Sequence, residues 1–224
     1  MDTIEKKINE LLELKRENED VTESNKRHQQ MLTQLHESNH IEFIEVLKRD
    51  VQELISEHNE SPNQTKRRGL IRAIFAYIEG NLFRIKEEII IAESHKRNPI
   101  LDAEEIILLK EKSPEINRGK VKSRVKYVNL PENIKFTLNC YVKSAQINCE
   151  LDLQCPEWRC LIESITVRNR ITHPKNASEL EISGNEIEKA YISYLYFNKV
   201  IVDLGEKKNN ELELKMKNPG QILF

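Results

Sequence analysis

Glycine and proline are scarce in this chain, six and seven respectively among 224 residues. Sheet-rich folds place both at their many turns, so the shortage points to long helices instead. No apolar run is long enough to cross a bilayer, and the acidic N-terminus lacks the apolar segment of a signal peptide. A cytoplasmic protein with no membrane contact is therefore expected. A Gly-rich phosphate loop, an H-E-x-x-H helix and a G-x-S-x-G elbow are all missing. That removes the commonest routes to nucleotide, zinc-protease and serine-hydrolase chemistry. Cysteine is limited to Cys140, Cys149, Cys155 and Cys160. Their spacing lacks the paired C-x2-4-C knuckle of structural zinc, so free thiols are expected, with a metal site as the lesser alternative.

What is present is charge, unevenly spread. The net charge of −2 hides an acidic segment, with 8 basic and 15 acidic side chains in residues 1–60. Residues 61–150 reverse the balance, with 17 basic and 11 acidic. Any nucleic-acid contact is expected on this basic part of the chain.

Residues 1–60 read as an acidic helical extension, hairpin-like or coiled-coil-like. The seam from Ile4 to Leu35 is weak, and a clearer stripe runs through Ile41, Ile44, Leu47, Val51, Leu54 and Ile55. Ser61-Pro62-Asn63-Gln64 breaks it. A strong helix follows from about Thr65 to Ser94, with Ile71, Ile74, Ile78, Leu82, Ile85 and Ile89 on one face. Beside them runs a second stripe of Arg68, Arg72, Phe75, Glu79, Phe83 and Lys86. Gly80 in mid-helix costs about 1 kcal/mol against alanine, tolerable where another helix must come close. Asp102 caps a short helix predicted to end near Ser113-Pro114. Lys120, Lys122, Arg124 and Lys126 then alternate as on an extended strand. Such a row suits a phosphate backbone, and equally a solvated strand edge. Further helices are expected from Leu130 to about Asn148, from Pro156 to His173, and from the Ser183…Glu186 capping box to Gly205. The charged tail beyond Glu206 reads as a peripheral strand or a docking peptide.

The helix opened by Pro156 carries the most informative stretch. Trp158, Leu161, Ile162 and Ile165 mark a buried face, and continuing the period puts Asn169 and Thr172 on it, with Arg168 and His173 at its flanks. A charge turned inward is costly unless paired or used. Pro174 then pushes His173 out of helical geometry. The plain alternative is that Arg168 and His173 merely cap the helix end.

The string Arg168-Asn169-Arg170-Ile171-Thr172-His173-Pro174 resembles the Arg-polar-x-x-x-His signature of the HEPN superfamily, over roughly residues 61–206. The resemblance implies a HEPN-like helical bundle at 61–206; with the helical extension at 1–60 and the charged tail at 207–224 read from the residues, an all-α protein is expected. It implies a metal-independent endoribonuclease, a toxin or antiviral-defence effector, needing no cofactor and working on RNA as a homodimer. Arg168, Asn169 and His173 would be catalytic. Glu79, and next Arg72, would face the motif from the first bundle helix, with surface charge pairing as the alternative. Arg170, Lys175 and the row Lys120, Lys122, Arg124 and Lys126 would help to bind substrate. Toxins of this family paired with a nucleotidyltransferase antitoxin tend to carry Tyr two residues after the His. Lys175 stands there, so that mode of regulation is not expected. The N-terminal helices remain a candidate surface for an antitoxin or regulatory protein. A non-catalytic HEPN-like module that binds RNA or protein is the second reading, and a helical scaffold the third.

Overall fold

The apolar stripe from Ile71 to Ile89 forms the axis of the molecule. In the computed structural model, which describes residues 40–217 and the isolated positions 26 and 30, all six stripe residues are buried. They lie on α2 (Gln64–His95), which follows α1 (His40–Glu60) across the Ser61–Asn63 break. Asn63 starts α2 by accepting a hydrogen bond from Lys66 N at 3.0 Å. Then come α3 (Ala103–Leu109), β1 (Lys112–Asn117), β2 (Lys120–Val125), α4 (Leu130–Ala145), α5 (Pro156–Thr172), a 3-10 turn (Ala177–Leu180) and α6 (Gly184–Lys217). The protein is mostly helical, with one small two-stranded sheet among the described residues. The seam from Ile4 to Leu35 and the apolar end Ile222–Phe224 lie outside the described residues.

Helix α2 packs against α1, α4, α5 and α6, so it is buried over most of its circumference. Its neighbour α1 lays Val51, fully buried, and Ile44, Leu47, Leu54 and Ile55 on the core. The close approach expected at Gly80 is present. A Cβ there would stand 2.6 Å from Leu47 Cδ1 and 3.1 Å from Phe43 Cε1. Helices α5 and α6 approach through small residues, with Ser193 Oγ donating to Ser164 Oγ at 3.2 Å and Ala190 fully buried beside them.

Two expectations about element limits are corrected. The segment expected to remain helical to Ser113-Pro114 leaves the helix at Leu109 and becomes β1. It pairs antiparallel with β2, Asn117 opposite Lys120, across a turn in which Arg118 (φ 50°) and Gly119 (φ 73°) are both left-handed. That two-residue turn matches the natural twist of a hairpin. The helix expected to stop at Gly205 runs on to Lys217, so Glu206–Lys217 is not a strand. Apart from Asn209 and Asn210, residues 206–217 are good helix formers. Lys208 beyond the glycine bonds Glu88 of α2 at 2.6 Å and lies over the Tyr141 ring, which holds the continuation down. On α6, Tyr191 and Leu195 are exposed, while Ala190 and Phe197 take the interior places.

Candidate functional site

Helix α5 begins as expected, with Pro156 in its first turn and the Cys155 thiol accepting from Trp158 N at 3.3 Å. Trp158, Leu161 and Ile165 are buried. Beyond them the buried arc turns, because α5 meets α6 as well as α2, and Ser164, Val167 and Ile171 become the inward residues. Asn169, Thr172 and His173 are consequently exposed, and Arg168 is half-buried. The polar cluster is thus not turned into the core. It lies on the surface beside the contact of α5 with α2.

Arg168 and Glu79 form the centre of this surface. The Arg168 guanidinium donates to the Glu79 carboxylate on α2, and on its other side to Asn169 Oδ1 at 3.0 Å. Asn169 therefore orients Arg168, while its own backbone carbonyl accepts from His173 N at 3.1 Å. Burial raises the Glu79 carboxyl above its ordinary value, the Arg168 charge opposes the rise, and Glu111 adds to it.

A cleft of about 380 Å³ opens beside the pair, between α2, α5, the start of α4 and the segment that follows β2. Arg168, Asn169, Glu79 and Lys126 share its lining. Lys86, only 4% exposed, reaches Glu111 at 2.7 Å, and Asn133 supports the same carboxylate at 3.4 Å. The Lys86 contact, helped by Asn133, holds Glu111 below the usual carboxylate range against the effect of its burial. Glu111 has a left-handed backbone (φ 52°), uncommon for a residue with a side chain. Its carbonyl accepts from Lys126 N at 2.8 Å and so fixes the base of the hairpin to the bundle. The expectations did not include Glu111 or Asn133. A buried lysine on the second stripe of α2 was the available signal, since such a charge needs an acidic partner.

The remaining candidates are dispersed. His173 closes α5 as its C-cap, exposed and outside the cleft lining. Arg72 donates to the Ile171 carbonyl at 3.2 Å, two residues before that histidine. Arg170 lies off the cleft, bonding Glu186 at 3.1 Å and the Glu181 carbonyl at 2.9 Å. Arg72 and Arg170 thus hold carbonyls at the α5–α6 connection. Lys175 is exposed in that connection, its backbone N bonded to Glu179 at 2.8 Å.

Lys120, Lys122 and Arg124 are exposed on β2, with Lys126 just beyond it, and the first three share their face of the ribbon with Glu115. Arg124 is already paired with Glu115 at 2.7 Å. If the row tracks RNA, as the resemblance implies, replacing Lys120, Lys122 and Lys126 by glutamine should weaken that binding and flatten its salt dependence by about 0.7–0.9 per lost contact. Arg124→Gln should do less, because Glu115 offsets that charge. A titration over salt concentration checks this, and an unchanged slope would leave the row as a solvated ribbon face.

No family model, no curated protein and no solved structure matches this chain.

Proposed function

We propose that this protein is a metal-independent endoribonuclease of HEPN type, a toxin or antiviral-defence effector with a HEPN-like bundle at its centre. The observation that carries this reading is the Glu79–Arg168 pair beside Asn169, on the helix that His173 caps. An acidic residue of the first long core helix meets the arginine of the motif, as that resemblance implies.

Cleavage by internal transphosphorylation requires a base to take the 2′-OH proton. The 2′-oxygen then bonds to phosphorus, and the 5′-oxygen leaves with a proton from an acid. Imidazole suits either proton transfer. The Arg168 guanidinium, held in place by Glu79 and Asn169, would bear the charge that gathers on the phosphate oxygens. One histidine per chain fills only one proton-transfer role. The active unit is therefore a homodimer with both Arg168–His173 stretches facing one cleft formed between the two chains, an interface of the same patch used twice. The N-terminal helices would provide the surface for an antitoxin or regulatory protein. A non-catalytic RNA-binding module is the second reading, favoured by the resting engagement of Arg168 with Glu79.

Purified protein should cleave mixed RNA in EDTA, leaving 2′,3′-cyclic phosphate and 5′-hydroxyl ends. Products with 3′-hydroxyl ends would count against the mechanism. Wild-type protein exchanged with His173→Ala subunits should lose activity as the square of the wild-type fraction. A linear fall would mean one histidine per site, and full activity in a monomer would sink the shared cleft.

A further inference from the structure

We infer that the cleft beside Arg168 is a nucleobase subsite for single-stranded RNA, with Tyr127 as its stacking platform. The inference rests on the ribonuclease reading for its ligand class but adds a residue and a contact that the motif does not contain. Tyr127 follows the basic ribbon and lines the cleft, yet it is 96% exposed. An aromatic ring of that size normally buries most of its surface, and an open ring face beside cations is the arrangement on which bases stack.

The rest of the cleft fits one base and its phosphate. Its volume lies within the roughly 300–1,000 Å³ of small-molecule clefts. Phe83 on α2 adds a second half-exposed ring to the lining. Asn129 accepts from Glu132 N through Oδ1, and Asn169 accepts from Arg168 through the same atom. Each therefore keeps an amide N–H2 to donate to acceptors on a base edge. Lys126 supplies charge for the adjoining phosphate, and Arg168, paired with Glu79, adds its remaining N–H donors. Single strands are favoured over duplex, because only an unpaired base can turn its face to Tyr127.

The platform is also firmly mounted. Lys126 N is bonded to the Glu111 carbonyl, and Glu111 to the buried Lys86, so the residue before Tyr127 is tied to α2. Val128 to Pro131 continue the wall from Tyr127 into α4. The backbone that carries the ring therefore keeps its place when the cleft is empty, which lowers the backbone part of the ordering cost of binding.

The test uses the full chain carrying His173→Ala, so that RNA is bound without being cut, and a fluorescently labelled single-stranded RNA decamer. Tyr127→Ala should weaken binding about 5- to 100-fold, while Tyr127→Phe stays within about 2-fold of the parent. Circular dichroism should be unchanged, since the ring is solvent-exposed. In Tyr127→Trp the added indole emission should be quenched as unlabelled decamer is titrated in. Decamer affinity within about 2-fold of the parent for Tyr127→Ala, or an added indole emission indifferent to RNA, would overturn the subsite. The nuclease reading fails separately: a wild-type chain that binds RNA through Tyr127 but never cuts it keeps the subsite and loses the enzyme. Cleavage that needs His173 but ignores Tyr127 does the reverse.

Discussion

His173→Ala should lower the rate of RNA cleavage by about 10²- to 10⁴-fold, the usual contribution of a positioned acid or base, with almost no effect on stability. The side chain is exposed, and what His173 gives the fold is its backbone N–H to Asn169, which alanine retains. A stability change within about 0.5 kcal/mol is expected. Arg168→Ala should abolish cleavage as well, but its effect on stability should depend on pH. Burial already raises the Glu79 carboxyl, and the arginine opposes that rise. A group whose folded value is raised favours the fold below its unfolded value, near pH 4.5, and that benefit is lost as pH increases through the folded value. Removing Arg168 lifts the folded value further, so the variant should be less stable than the parent at neutral pH. The two should converge in mild acid. Melting temperatures measured from about pH 3.5 to 7.5 decide this. Unfolding of either variant at every pH would return both residues to a purely structural role.

Glu93→Ala should be the most damaging single change to the fold. Glu93 is 3% exposed, and its carboxylate accepts from Ile100 N at 2.7 Å, Leu101 N at 3.0 Å, Ser144 Oγ at 2.6 Å and the Lys96 ammonium. It ties the end of α2 to the segment before α3 and to α4. Alanine leaves two backbone donors and the Ser144 hydroxyl without their acceptor, and leaves the Lys96 ammonium, still bonded to the Ser144 carbonyl, without its counter-charge; a loss of about 3–5 kcal/mol follows. For a domain of this size that is roughly 6–20 °C in melting temperature. Burial raises this carboxyl, but the hydrogen bonds from Leu101, Lys96, Ser144 and Ile100 outweigh it and hold it below its ordinary value. Its contribution is therefore present above about pH 4.5, the unfolded value, and fades as pH falls through the folded one. Urea unfolding at about pH 7 and pH 3.5 should show the gap between parent and variant shrinking in acid. A loss below about 1 kcal/mol at neutral pH would mean that water replaces the carboxylate at little cost.

The main helices were legible because their determinants are local. The Ile71–Ile89 stripe repeats along α2 for about five turns, and Asp102 and Ser183 each answer a glutamate three residues on. Gly80 was legible too, as a vacancy that only a neighbour could explain. The hairpin was half legible: alternation marked β2, but Pro114 masked β1, whose extended form depends on its partner. Gly205 misled because the anchor that overrides it, Glu88, lies 120 residues from Lys208. The inward placement of Asn169 failed for the same kind of reason. One helix period was extrapolated along α5, whereas two neighbouring helices set two different buried arcs. The meeting of Glu79 with Arg168 was foreseeable as a pairing, and the cleft beside it was not, since Glu111 and Tyr127 reach it through the hairpin.

Gly80 adjoins Glu79, so one turn of α2 answers to two neighbours, α1 on one side and α5 on the other. The two demands are separable in descent. In any lineage that keeps the α1 arm, replacing glycine at position 80 requires Leu47 and Phe43 to turn aside or shrink in compensation, whatever becomes of Arg168. A lineage that sheds the arm releases position 80 and can still hold an acid at 79 opposite an arginine at 168. Glycine at 80 is thus an inherited mark of the arm, and the 79–168 pair an inherited mark of the site. Relatives in which position 80 varies freely beneath an intact arm that keeps leucine at 47 and phenylalanine at 43 would show that these two side chains yield rather than wedge.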